Sequence, residues 1–385
     1  MSTQKFYPTG HEEREGVISL ERPIENDEIN KKVNLVSLTK DISNEIKDEI
    51  IGYLSQENQM FSGNYTLLKN EDIDKFTKLD MIGVLMRGGQ KNTLLGTIFS
   101  IPFPIKCHFK NIDKNKNENK NENTEILVHG CTSFLNVHSK LRGHGMAKLL
   151  IGKLLQVGYE RNIYCGYQIT SFAASPTSIK INMWYRPLNM LRSLELGFVF
   201  PHFNEIGHFH ENRIKYACRK PKGFNINQIT QSTILKAYNF YVNIQNNESI
   251  TNKRFIYWPN EEEFIKWTKI FETTYLVTNK ENKDIVGLFT YKPFYCRMSD
   301  THIEARLCLP LLVVCKGHYN SITLQSLIYM AGQQCYDVLY CYQLGDLNRD
   351  CLTENSCIST TNPSWFTLYN NYMKLQPEEI SVPLF

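Results

Sequence analysis

The chain has 385 residues, 42% of them hydrophobic, 12% aromatic and 21% charged, with a formal net charge of +4. That apolar fraction supports a sizeable core and excludes wholesale disorder, and the length predicts two or three domains or one large fused pair. With 43 basic residues against 39 acidic ones, the surplus is too small for a dedicated nucleic-acid binder, yet leaves room for one basic groove facing a phosphorylated ligand.

In chain order, the opening Met1-Ser2-Thr3-Gln4-Lys5 has no basic stretch followed by an apolar core, so no secretory leader is expected. Leu94 to Ile101 and Glu125 to Val128 read as strands. They flank Asp113 to Asn123, a run of Asn, Lys, Glu and Asp that has no apolar surface to bury. A long hairpin with a solvated tip is the simplest arrangement. Thr132 to Val137 is a short apolar strand, followed by polar residues and a helix-like stretch from Met146 to Glu160. At Arg219 to Asn225, Lys, Pro and Gly interrupt the pattern and predict a boundary, with one half spanning 1–219 and the other 220–385. Beyond it, Leu309 to Val314, a polar turn and Ile322 to Gln334 repeat the order of strand, turn and helix. The echo suggests a duplicated α/β unit, although two unrelated strand–helix pairs would share the pattern. Leu307 to Cys315 is the most apolar run; it is far too short to span a bilayer and reads as a buried strand.

The 11 cysteines include no Cys-x-x-Cys pair, so free buried thiols in a reducing compartment are expected rather than a zinc ribbon or redox site. His208, His210 and His129 near Cys131 do not assemble a four-ligand zinc spacing, and no metal site is expected. Tyr291 to Tyr295 reads as core before groove.

The two halves differ in the turn. The first reads Arg142-Gly143-His144-Gly145-Met146-Ala147. Glycines there let backbone amides crowd an anion, and the following helix adds its positive dipole end. A glycine-rich tight turn explains the same residues equally well when taken alone. Placement after a strand and before a helix favours a pyrophosphate loop, which resembles that of the GNAT-type acyltransferase fold. The second turn, Cys315 to Asn320, lacks the paired small residues, so one nucleotide site is expected.

The neighbouring residues Ser133-Phe134-Leu135-Asn136-Val137-His138-Ser139-Lys140-Leu141-Arg142 resemble the Asn-Phe-Leu-Cys-Val-His-Lys-Lys-Leu-Arg signature of the glycylpeptide N-tetradecanoyltransferases (N-myristoyltransferases). Lys5-Phe6-Tyr7, Met60-Phe61, Met183 to Asn189, Asp337-Val338 and Leu368-Tyr369-Asn370 resemble further family segments in family order. The resemblance runs from Gln4 to Phe385. It implies an α/β (α+β) architecture of two fused acyl-CoA N-acyltransferase-like repeats, with mixed central sheets and flanking helices.

It also implies transfer of myristate from myristoyl-CoA, a co-substrate rather than a bound cofactor, to the amino-terminal glycine of proteins. Lys5, Phe6 and Tyr7 would lie near the nucleotide and Gly143, His144, Gly145, Met146 and Ala147 around the pyrophosphate. Asn136, Val137 and Arg142 complete that motif. The amides of Phe134 and Leu135 would hold the thioester oxygen, worth roughly 3–4 kcal/mol per donor. The carboxylate of Phe385 would be the base, carried by an uncharged apolar tail from Ile380. A hydroxyl near the thioester is assigned to Thr170, and peptide contacts to Tyr53, Glu57, Phe61, Trp184, Tyr185 and Leu384. A cytoplasmic monomer without a transmembrane segment or nucleic-acid partner is expected.

The departures concern the peptide. The family's acidic run is Ser55-Gln56-Glu57-Asn58-Gln59 here, leaving one carboxylate, its histidine after Trp is Tyr185, and its Gly-Asp-Gly-Asn is Thr360 to Pro363. Rival readings are a short-chain acyl-CoA N-acyltransferase and a non-catalytic binder of acyl-CoA and glycine-starting peptides.

Overall fold

A computed structural model of the chain describes residues 15–17, 33–38, 42–57, 59–60, 64–110, 123–175, 178–196, 206–247, 252–271, 273–297 and 303–385. It divides into two compact units: Met1–Ile179 with Trp365–Leu375 and Phe385, and Lys180–Ser364 with Gln376–Leu384. Residues 180–219 thus group with the second unit, and the chain returns to the first unit near its end.

In the first unit the strands Val33–Leu38, Ile82–Gly88, Thr93–Phe109, Asn123–Val137, Cys165–Thr170 and Ser364–Tyr369 are neighbours in that order. The pairs are antiparallel except Asn123–Val137 with Cys165–Thr170, which is parallel. Phe109 lies opposite Asn123, so the flanks of the low-complexity run form the hairpin read from the sequence; most of the run itself, 113–122, lies outside the described residues. Helix Met146–Tyr159 presents Leu150, Leu154 and Val157 at spacings of four and three, one stripe of an α-helix. That stripe packs on Ile82, Val84, Met86, Ile98 and Val137. Leu150 is fully buried, so its truncation to alanine costs about 2–5 kcal/mol.

The second unit repeats the plan. Its strands run Phe224–Gln228, Thr274–Asn279, Ile285–Arg297, Glu304–Cys315, Val338–Tyr342, Met183–Pro187 and Ile358–Ser359. Hairpin, short 3-10 turn Gly317–Tyr319, helix Asn320–Gln333 and a parallel strand follow one another as in the first unit. The expected mixed sheets with flanking helices are therefore present in both halves. Leu307 to Cys315 is a buried strand, as its composition predicts, and no described helix is long and apolar enough to cross a membrane.

The tail is ordered. Ile380 and Ser381 pair in parallel with Phe255 and Ile256, Gln245 donates Nε2–H to Ser381 Oγ at 3.1 Å, and Val382 is buried. Backbone pairing and apolar burial together hold a segment whose default as a chain end is to fray.

Candidate active site

The first unit carries a break in its sheet at the centre of the quoted motif. Thr93–Phe109 and Asn123–Val137 pair Gly96 with Val137 and Thr97 with Asn136, then resume at Phe99 with Ser133. One strand advances two residues where the other advances three, a β-bulge. Phe134 takes φ +54° there, a left-handed conformation that a bulky side chain adopts only when its surroundings impose it. Thr97 Oγ1 donates to the Phe134 carbonyl at 2.9 Å and fixes the distortion. Phe134 and Leu135 have no partner across the hairpin in this register. On the other side, parallel pairing with Cys165–Thr170 covers only His129 to Cys131. Phe134 and Leu135 thus fall outside the regular register on both flanks.

Where those two strands part, a small cleft is lined by Ser100, Gly130, Thr132, Ile151, Leu154 and Gln168, among others. Its walls are mostly apolar with a few polar groups, the composition usual for small-molecule sites.

The turn after the bulge holds two left-handed glycines. Gly143 and Gly145 have φ +83° and +80°. A Cβ at either would meet nothing within 4 Å, so glycine is needed for conformation and not for packing. Gly145 precedes the helix as its N-cap. Among the described residues the amides of Gly143, Gly145, Met146 and Ala147 donate to no carbonyl, and the helix end adds positive potential. His144 is exposed in the same turn. Arg142 braces the turn: Nε donates to the Val137 carbonyl at 2.9 Å, and Nη2 to the Glu57 carbonyl at 2.8 Å and to Asn136 Oδ1 at 3.4 Å.

Glu57 is drawn into the same brace. Its Oε2 accepts from the Ser139 amide at 2.9 Å, and its carboxylate lies 3.5 Å from His138 Nε2 and 3.7 Å from Arg142 Nη2. This carboxylate, assigned to the peptide by the resemblance, is engaged with the turn. Tyr53, one helical turn earlier, is buried and donates its hydroxyl to the Leu95 carbonyl at 3.0 Å. Burial, then the neighbouring Glu57 charge, raise that hydroxyl well above its ordinary range, so Tyr53 stays protonated.

The chain terminus comes to the bulge. Ser133 Oγ donates to the Phe385 carboxyl group at 2.6 Å. The Phe385 ring stacks on Phe103 at 5.7 Å and meets Phe76 edge-on at 5.7 Å. Phe76 also lies 6.1 Å from Phe134. An aromatic cage therefore holds the terminus one residue from the bulge, and each such pair contributes roughly 0.5–1.5 kcal/mol beyond burial. Thr170 ends its strand and turns its hydroxyl onto the Phe172 carbonyl at 2.6 Å.

Other assigned residues fall elsewhere. Trp184, Tyr185 and Leu384 belong to the second unit. Trp184 is part of that unit's core cluster and donates Nε1–H to Gln343 Oε1 at 3.3 Å. Tyr185 is half-buried, and burial raises its hydroxyl above its usual value. Leu384 borders a second cleft with Leu311, Val313 and Val382. Lys5, Phe6, Tyr7 and Phe61 lie outside the described residues.

Sequence reasoning quoted Ser133 without a role and missed Phe76, Phe103 and Thr97. Phe76 and Phe103 carry no motif, and only the fold reveals them. No group of His, Cys, Asp and Glu able to hold a metal occurs among the described residues. Burial pushes the Cys165 and Cys357 thiols up to about 12, so both are unreactive at neutral pH.

Neither a family model nor a curated protein sequence matches the chain. Among solved structures it is similar to N-myristoyltransferase of Saccharomyces cerevisiae with bound myristoyl-CoA. One such structure has TM-score 0.74 at 13% identity, over 98% of this chain and 94% of that one. A second has TM-score 0.74 at 12% identity, over 97% and 90%. A third, with bound myristoyl-CoA and inhibitors, has TM-score 0.72 at 13% identity, over 94% and 86%. At such identities the likeness lies in the fold, and the fold of this chain is that of N-myristoyltransferase, the architecture the motif implies.

Proposed function

We propose that the chain is an acyltransferase that moves myristate from myristoyl-CoA to the amino-terminal glycine of proteins. The observation that carries this reading is the bulge at Phe134 with the Phe385 carboxyl group held beside it by Ser133. The amides of Gly143, Gly145, Met146 and Ala147 would take the pyrophosphate, and the acyl arm would enter the cleft beside the bulge. The thioester oxygen would point at the amides of Phe134 and Leu135. The Phe385 carboxylate would accept a proton from the glycine ammonium, whose pKa of about 8 demands only a modest base. The amine lone pair would then form the C–N bond. The tetrahedral oxyanion would rest on the two amides and collapse, breaking the C–S bond as the second nitrogen proton passes to the departing sulfur, so that the neutral amide and coenzyme A thiol are the products.

Lys5, Phe6, Tyr7, Phe61 and Thr170 keep the roles the resemblance assigns them. Glu57 is reassigned to bracing the pyrophosphate turn. We place the protein in the cytoplasm as a monomer, in keeping with 11 free cysteines and a reducing compartment. Chain-length selectivity tests the reading. About a dozen extra methylenes at ~0.8 kcal/mol each allow a preference of up to ~10 kcal/mol for myristoyl over acetyl. Equal turnover of acetyl-CoA and myristoyl-CoA with a glycine-starting peptide would reject it.

A further inference from the structure

Five buried side-chain atoms find no hydrogen-bond partner among the described residues: Asn136 Nδ2, Gln245 Oε1, Tyr291 Oη, Arg306 Nε and Asn371 Oδ1. Only Asn136 stands next to the bulge. It is 6% exposed, so its unpaired N–H group carries a desolvation cost that a ligand acceptor would relieve. The amide orientation is fixed by its surroundings. Oδ1 accepts from Arg142 Nη2 at 3.4 Å; the opposite flip would set two donors against each other and would still leave an amide atom unpaired.

The direction of the side chain says which ligand the group would meet. Leu135 and Val137 pack with the cluster of helix Met146–Tyr159, on the side that carries the acyl cleft. Beyond the bulge side chains alternate again, which sets Asn136 on the other face, while Phe134, inside the bulge, is placed by its contacts. Contacts agree: Phe134 meets Phe76, and Asn136 reaches the Arg142–Glu57 brace at the end of helix Asn44–Glu57. Phe76 also touches the Phe385 ring, so this face holds the proposed base. Asn136 is absent from the walls of the acyl cleft.

We propose that Asn136 Nδ2 donates a hydrogen bond to a main-chain carbonyl of the acceptor peptide, and so is a specificity-determining residue on the amine side of the reaction rather than a ligand of the acyl donor. The inference rests on the acyltransferase reading above. A backbone carbonyl is the fitting acceptor because an extended peptide presents one whatever its side chains, which suits an enzyme with a depleted acidic run. The resembling signature has cysteine at this position, and a thiol is a far weaker donor. The asparagine therefore supplies recognition that the lost carboxylates do not.

The test uses the full chain saturated with a non-transferable thioether analogue of myristoyl-CoA and a labelled peptide beginning with glycine. Asn136→Leu removes the donor and the Arg142 contact; Asn136→Asp keeps an acceptor for Arg142 and removes only the donor. Both variants are expected to weaken peptide binding roughly tenfold to a hundredfold, with analogue affinity unchanged in Asn136→Asp, which keeps an acceptor for the Arg142 brace. Asn136→Leu is also expected to match or exceed the parent in Tm, because it relieves an unpaired buried donor. Unchanged peptide affinity in either variant overturns the inference. So does weakened analogue binding in Asn136→Asp, or a fall in Tm accompanied by equal losses in both affinities. A parent protein that neither binds the analogue nor turns over peptide fails the acyltransferase reading itself, whereas an active parent with indifferent variants fails only this assignment.

Discussion

Appending one glycine after Phe385 separates the terminal carboxylate from the ring that carries it. The ring keeps its stacking on Phe103 and its edge contact with Phe76, both at 5.7 Å, so stability should not change. The charge, however, moves on by one residue, about 3.3–3.6 Å along an extended chain. A general base must sit within roughly 2.6–3.2 Å of the proton it takes, so that displacement removes it from the reacting amine and from Ser133 Oγ. Base catalysis contributes about 10²–10⁴-fold, and the single-turnover rate should fall by that factor while myristoyl-CoA affinity and Tm stay at parental values. Deleting Leu384 and Phe385 is the harsher companion. It loses the same catalysis and, with the two ring pairs of Phe385, about 1–3 kcal/mol of stability. Thiol release from myristoyl-CoA, followed under single-turnover conditions with saturating peptide, reads both variants. A glycine-extended chain that reacts at the parental rate refutes the terminal carboxylate as base.

Three further outcomes are expected. Gly145→Ala must hold alanine at φ +80°, costing about 1–2 kcal/mol; because the Cβ meets no neighbour, the effect should appear as roughly tenfold weaker acyl-CoA binding with a small change in Tm, and unaltered binding would count against the turn as the pyrophosphate site. Glu57 is engaged by Ser139 and Arg142, so matched peptides with and without a lysine downstream of glycine should turn over comparably, and a strong lysine requirement would show that this carboxylate meets substrate. Burial pushes His129 down from 6.5 to about 4. The unfolded chain therefore binds a proton that the folded chain refuses between those values, so its contribution is fully present above pH 6.5 and is lost as pH falls toward 4. At about 1.4 kcal/mol per unit this amounts to roughly 3 kcal/mol; urea unfolding at several pH values should give a shallower acid slope for His129→Gln, and identical slopes would contradict the assignment.

How far the sequence carried this account depends on whether a feature is local. The strand, turn and helix around Arg142 to Tyr159 were legible because glycine placement and apolar spacing act within a few residues. The hairpin across the low-complexity run was legible for the same reason. The bulge was not. Its left-handed Phe134 is a phenylalanine in an otherwise regular strand pattern, and only the register against Thr97 and Phe99 imposes it. The bond from Ser133 to Phe385 joins residues 252 apart, and Phe76 and Phe103 have no sequence mark distinguishing them from core. Glu57 shows the reverse case. Resemblance assigned it to the peptide because acidic residues usually stand there, while the neighbouring amide of Ser139 and the guanidinium of Arg142 claim it. Asn136 was grouped with the nucleotide motif by adjacency, although strand alternation turns it to the opposite face from Leu135 and Val137. Tertiary competition for a side chain is invisible to spacing.

The most direct test of the central claim is the reaction itself. The intact chain, myristoyl-CoA and a glycine-starting peptide are incubated, and the products are resolved by mass spectrometry beside a control peptide beginning with alanine. A myristoyl amide on the glycine amine, released coenzyme A and an unmodified alanine peptide are the expected products. Recovery of both peptides unmodified, with the myristoyl-CoA intact, would contradict the claim.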